Sequence, residues 1–185
     1  LLGDKFILMM VMGIFVVVGI DVAINSNIGT FLTAKLGVGE EAAKYGKSVY
    51  FFAKMTGTFI GAILLTKWSA RKFLTGSATL AAVALIVLAY TPSEMAAWII
   101  IFIVSLGISN VFPLIFSITV NRMPNRSNEI SGLMMMAISG GAIIPFLVAY
   151  AMSYYIDGGI YILLACAIYI LLISVFPGRK GDVVK

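Results

Sequence analysis

Histidine is absent from the 185-residue chain, and cysteine occurs once, as Cys166. Without histidine there is no Ser–His dyad for intramembrane proteolysis, no His-bearing acyltransferase motif, no histidine-ligated haem and no H-E-x-x-H zinc site. A lone cysteine rules out an intrachain disulfide, and its place inside the last apolar run gives no sign of an oxidising fold. No Walker A pattern is present, so nucleotide binding through a P-loop is excluded as well. Charge is scarce: Asp, Glu, Lys and Arg make up 11% of the residues, against roughly 25% in an ordinary soluble domain. An enzyme is therefore disfavoured, and neither a metal nor another cofactor is expected. No Ser-, Pro- or Gly-rich linker and no low-complexity stretch divides the chain, which reads as one domain over residues 1–185.

What is present is apolar: 61% of the residues are hydrophobic. They form six runs, over about 6–34, 45–66, 72–91, 95–121, 129–155 and 157–176. A hydrocarbon core about 30 Å thick requires roughly 20 apolar residues per helix and leaves no water for unpaired backbone groups. The expected fold is thus an all-α integral membrane bundle of six transmembrane helices. Thr91-Pro92-Ser93, Met123-Pro124-Asn125 and Asp157-Gly158-Gly159 mark tight turns between runs. The chain opens Leu1-Leu2-Gly3-Asp4, with neither Met nor a basic-then-apolar leader, and we expect it to be part of a longer polypeptide.

The net charge of +5 follows membrane topology rather than a nucleic-acid partner. Alternate connections and ends carry Lys5; Lys67, Arg71 and Lys72; Arg122 and Arg126; and Arg179, Lys180 and Lys185. The opposite set holds only Lys35, Lys44 and Lys47, offset by Glu40, Glu41, Glu94 and Asp157. This positive-inside bias places both ends in the cytoplasm, which in turn requires an even number of spans.

Two charges interrupt apolar runs. Asp21 stands about 15 residues after Phe6, roughly 22 Å along the first helix, and Lys54 lies roughly 18 Å from the same side along the second. At matching depth they either lock two helices together as an ion pair or line a substrate or proton pathway. A lysine beside the carboxylate would hold Asp21 ionised, which weakens Asp21 as the sole carrier of a coupling proton. Asn25 lies one turn beyond Asp21. The run Asn25-Ser26-Asn27-Ile28-Gly29 is polar enough to unwind the helix toward a cavity, or to bond neighbouring helices through its amides. In the fourth run Asn110, Pro113 and Ser117 share a stripe, and the proline predicts a bend facing a cavity. Phe112 beside it either packs or stacks on an apolar ligand face. Gly57 and Gly61 form a small-xxx-small pair for close packing. Gly140, Gly141 and Pro145 do the same or provide a hinge. Met134 to Met136 read as adaptable packing at a sliding interface.

Several of these segments also resemble a known family. Gly57-Thr58-Phe59-Ile60-Gly61 followed by Lys67-Trp68-Ser69-Ala70-Arg71-Lys72 resembles the degenerate second copy of the signature loop of the major facilitator superfamily, with Thr66 and Ala70 where an Asp and a Gly usually stand. Val18-Gly19-Ile20-Asp21-Val22-Ala23-Ile24 resembles the opening of the seventh helix in fucose permease-like and glucose/galactose permease-like symporters. Ser109 to Ser117 resembles their tenth helix, and Ile138 to Pro145 their Gly-rich eleventh.

The resemblance implies the carboxy-terminal six-helix half of a twelve-helix carrier, each half built of inverted three-helix repeats with substrate between the halves. It implies a multi-pass protein of the inner (plasma) membrane that carries a monosaccharide of fucose, glucose or galactose type by alternating access. The partners implied are the sugar, a proton, membrane lipid and a missing amino-terminal half. In the fucose permease type that missing half holds the acids tied to proton movement. Asp21, Asn25, Asn27, Lys54, Asn110 and Phe112 would face the substrate, and Lys67, Arg71 and Lys72 would sit at the inner gate. The alternatives are a carrier of another polar or anionic solute, since Lys54 offers a cation that a sugar does not need, and a non-transporting membrane scaffold subunit.

Overall fold

The computed structural model describes residues 3–175. Phe176, at the expected end of the last helix, and the basic residues Arg179, Lys180 and Lys185 lie outside them. Helix α1 spans Lys5–Leu36, α2 Glu40–Leu64, α3 Ala70–Ala89, α4 Glu94–Ile108, α5 Val111–Arg122, α6 Ser127–Met136, α7 Gly140–Tyr154 and α8 Gly158–Val175. Short 3₁₀ turns at Pro124–Arg126 and Ala137–Ser139 precede α6 and α7. Five segments among the described residues are long and apolar enough to cross a membrane: α1, α3, α4 with α5, α6 with α7, and α8. Helix α2 has the length for a crossing but is less apolar, carrying Glu40, Glu41, Lys44, Lys47 and Lys54. It begins at Glu40, earlier than expected, so Lys44 too stands on the helix rather than in a loop.

Helix α1 runs through the middle of the bundle, against α7 above all and also against α2, α5 and α8. The Asp4 carboxylate accepts the backbone N–H groups of Phe6 at 2.9 Å and Ile7 at 3.4 Å, which starts the helix. Gly37, at φ 67°, ends it, and the Val38 N–H bonds back to the Leu32 carbonyl at 3.3 Å. On its other side the bundle is closed by α3, which packs on α4, α8 and α5.

The Asn25–Asn27 run does not unwind α1, contrary to the expectation from its composition. The Asn27 amide donates to the Ala23 carbonyl at 2.9 Å, one turn back, and Ile24 and Ile28 are buried in the core. Neighbouring helices hold the backbone that the asparagines alone would loosen.

The fourth and fifth runs are each broken in two. The fourth breaks at Ser109–Asn110, where Pro113 has no N–H to return to the preceding turn. The fifth tightens into 3₁₀ geometry at Ala137–Ser139, immediately before Gly140 meets α1. A Cβ at Gly140 would lie 1.9 Å from the Phe15 carbonyl oxygen, so only glycine permits that approach. Such contacts matter because apolar burial between helices gains little when the solvent is lipid, and association rests on close packing. Of the three methionines only Met134 is in the core; Met135 and Met136 are exposed.

Candidate functional site

The buried positions of α2 are Ala43, Gly46, Tyr50, Ala53, Gly57 and Gly61, spaced three or four apart on one stripe. Most are small, so α2 lies close against α1 and α4. Its large side chains, Phe51, Phe52, Met55 and Phe59, point outward. This register brings Lys54 to Asp21. The Lys54 ammonium lies 2.6 Å from Asp21 Oδ2, and the Tyr50 hydroxyl donates to Asp21 Oδ1 at 2.5 Å.

Tyr50 is almost completely buried, whereas the Lys54 and Asp21 side chains are 32% and 29% exposed. The exposure matters for chemistry. A carboxylate has about four lone-pair sites and an ammonium three donors. One contact on each Asp21 oxygen and one ion pair on Lys54 therefore leave donors and acceptors at the open face. Tyr50 was not among the residues expected from sequence. Its signal was its place one turn before Lys54, on the same helix face.

The other expected residues fall elsewhere. Asn25 is half-exposed one turn beyond Asp21, and its side chain makes no hydrogen bond among the described residues. Asn27 bonds within its own helix and lines a small cavity of about 40 Å³ whose other walls, such as Ile28, Leu85, Ile101 and Leu163, are apolar.

Asn110 does not face a cavity. It is 4% exposed, and its amide donates to the Gly57 carbonyl at 2.8 Å and to Ser109 Oγ at 2.9 Å. A Cβ at Gly61 would lie 2.3 Å from that amide, so the Gly57–Gly61 groove of α2 houses Asn110. Phe112 is half-buried and stacks on Phe116, with centroids 6.2 Å apart.

Of the expected gate residues, Lys67 and Lys72 are exposed and without ion-pair partners among the described residues. Arg71 is half-buried over the Phe6 ring at 5.9 Å. Arg122 lies over the same ring at 4.0 Å and 4.0 Å from Asp4, so α1, α3 and α5 meet at this end.

A second ion pair was not foreseen. Lys35, in the last turn of α1, pairs with Asp157 in the α7–α8 connection and also donates to the Ala89 carbonyl at the end of α3. The two side chains are only 16% and 13% exposed. A hydrogen bond to Asp157, followed by its charge, raises the Tyr155 phenol above its usual pKa in the same connection. Among the described residues no three His, Cys, Asp or Glu side chains gather as a metal site.

Comparison with known proteins bears on the family and the fold. The sequence model for the Major Facilitator Superfamily matches residues 3–183. A glucose/galactose transporter of Brucella abortus is 30% identical over 139 residues, which cover 73% of this chain and 33% of that protein. A putative glucose/galactose transporter of Helicobacter pylori is 31% identical over 145 residues, covering 78% of this chain and 35% of that protein. The chain thus spans about a third of the length of these curated relatives. Among solved structures, a Major Facilitator Superfamily transporter, FucP, in the outward conformation superposes with a TM-score of 0.88 at 20% identity, over 95% of this chain and 43% of that one. A variant of the E. coli fucose:proton symporter gives 0.89 at 19% identity, over 96% and 44%. At that identity the likeness speaks for the fold.

Proposed function

The chain belongs to the major facilitator superfamily, and we propose that it forms one six-helix half of a membrane carrier for a monosaccharide, driven by a proton gradient. It is a multi-pass membrane protein. In this reading it lies in the inner membrane with both ends in the cytoplasm, since Lys67, Arg71, Lys72, Arg122 and Arg126 fall in or beside two of the connections on one side. A second six-helix half closes the open face, and the relatives named for glucose and galactose transport support a sugar as the solute.

The observation that carries the proposal is the half-open Asp21–Lys54 pair in the middle of a membrane bundle. Ionised groups at that depth are costly and are kept where they contact a polar cavity or one another. With spare donors on Lys54 and spare acceptors on Asp21, the pair is suited to adjacent hydroxyl groups, which both donate and accept. Because Lys54 is already compensated by Asp21, a neutral polyol fits better than an anion. Asn25 stands on the same open side of α1, and Arg71, with Arg122, Phe6 and Asp4, supplies an inner gate. Asn110 supports α2, and Asn27 supports α1.

The test is uptake of radiolabelled glucose, galactose and fucose by the full transporter in proteoliposomes with an imposed proton gradient, comparing wild type with Asp21→Asn. We expect gradient-driven uptake of at least one sugar, falling at least about tenfold in the variant while its elution and thermal unfolding stay near wild type. Unchanged uptake in Asp21→Asn would assign the pair to structure alone. The absence of uptake of all three sugars by wild type would overturn the substrate class.

A further inference from the structure

Helix α3 carries a groove that none of the site described above uses. Lys72, Thr75, Gly76, Thr79, Leu80 and Val83 line this shallow depression, which is open along the outer face of the helix. These positions recur every three or four residues, so they form one stripe along α3. Gly76 leaves the middle of this face open, since a Cβ placed there would meet nothing within 4 Å. The two threonine hydroxyls are turned to their own helix, Thr75 to the Arg71 carbonyl at 3.1 Å and Thr79 to the Thr75 carbonyl at 2.8 Å. They therefore leave no unused hydroxyl proton to be satisfied by lipid. At one end stands Lys72, exposed and without an ion-pair partner among the described residues. Lys67 and the half-exposed Trp68 lie just before it.

We infer that this groove binds an anionic phospholipid, with its phosphate at Lys72 and one acyl chain along Gly76, Leu80 and Val83. Charge and length both support that occupant. Lys72 is an uncompensated cation at the level where Trp68 marks the membrane–water boundary, as interfacial tryptophans do. From Lys72 to Val83 the helix rises about 16 Å, close to one leaflet of a hydrocarbon core about 30 Å thick. The apolar stretch thus matches a single acyl chain and the cation matches its headgroup. The inference is independent of which solute the protein carries.

Native mass spectrometry of the full protein, released from bilayers of equal phosphatidylcholine and phosphatidylglycerol, tests it. Wild type is expected to retain phosphatidylglycerol over phosphatidylcholine by about fivefold at one site, the preference expected of a single lysine near an anionic headgroup. Lys72→Gln should remove that preference and Lys72→Arg should keep it. Gly76→Leu should expel the bound lipid while leaving the fold intact, since this face has room for a side chain. Equal retention of the two lipids by wild type would overturn the inference, as would unchanged retention in both Lys72→Gln and Gly76→Leu. A dimer that persists in wild type and dissociates in Gly76→Leu would instead assign the groove to a second copy of the protein.

Discussion

Two Asp–Lys pairs tether α1 to its neighbours, and they share their chemistry but differ in place and exposure. The Lys35–Asp157 pair joins the last turn of α1 to the α7–α8 connection, is 16% and 13% exposed, and is completed by the Ala89 carbonyl of α3. The Asp21–Lys54 pair sits inside the apolar run, is buttressed by the Tyr50 hydroxyl, and remains about twice as exposed at 29% and 32%. The enclosed pair ties three parts of the bundle at one point, as a structural staple does. The open pair holds charge where the membrane makes charge most costly and leaves it reachable from one side. Burial, rather than charge, separates the structural pair from the one proposed to meet substrate.

Removing one partner of each pair should separate them further. Lys35→Met leaves Asp157 unpaired in an enclosed site, and losing one member of a buried pair costs about 3 kcal/mol. We expect a lower thermal unfolding midpoint in detergent, with the KM for uptake of the surviving fraction unchanged. If the midpoint falls no further than in Asp21→Asn, the contrast between the pairs is wrong.

Exchanging the open pair, Asp21→Lys with Lys54→Asp, should cost about 1 to 2 kcal/mol in stability, because opposite charges still face each other while the buried Tyr50 hydroxyl loses its acceptor. On the proposed role of this pair, uptake should nevertheless fall about tenfold, since its free donors and acceptors have changed places and Tyr50 loses its carboxylate. Full uptake in the exchanged protein would make this pair as structural as the other.

The pairs also differ in how far sequence reveals them. Asp21 and Lys54 stand out because each interrupts an apolar run, and rise per residue places them at similar depth. Lys35 and Asp157 are 122 residues apart and read separately as ordinary charges between runs, so only the packed bundle brings them together. The same limit applies to uncharged residues. The Gly57–Gly61 spacing announces a close contact, but the spacing does not say that Asn110 fills it. Asn25-Ser26-Asn27 suggests a local break, yet Ile24 and Ile28 are held by other helices and the backbone stays helical. Local rules recover spans, turns and the Pro113 break. The partner of each polar group is set by helix register across the bundle, and one sequence does not encode that register locally.

Tyr50 provides the finest test of the open pair and the smallest expected effect. Its ring is packed edge-on against Phe51, with centroids 5.9 Å apart, and only its hydroxyl reaches Asp21. Tyr50→Phe keeps the packing and removes one hydrogen bond to an ion, worth about 1.5 kcal/mol, the low end for a charged acceptor, because that acceptor retains other partners. Asp21 keeps Lys54 and its open lone pairs. What it loses is the contact that fixes the plane of its carboxylate. The expected result is a rise in the KM for uptake of up to about tenfold, with the maximal rate nearly unchanged. A loss of maximal rate as large as that in Asp21→Asn would mean that the phenol itself takes part in the transport step. An unchanged KM would mean that Lys54 alone suffices to orient the carboxylate.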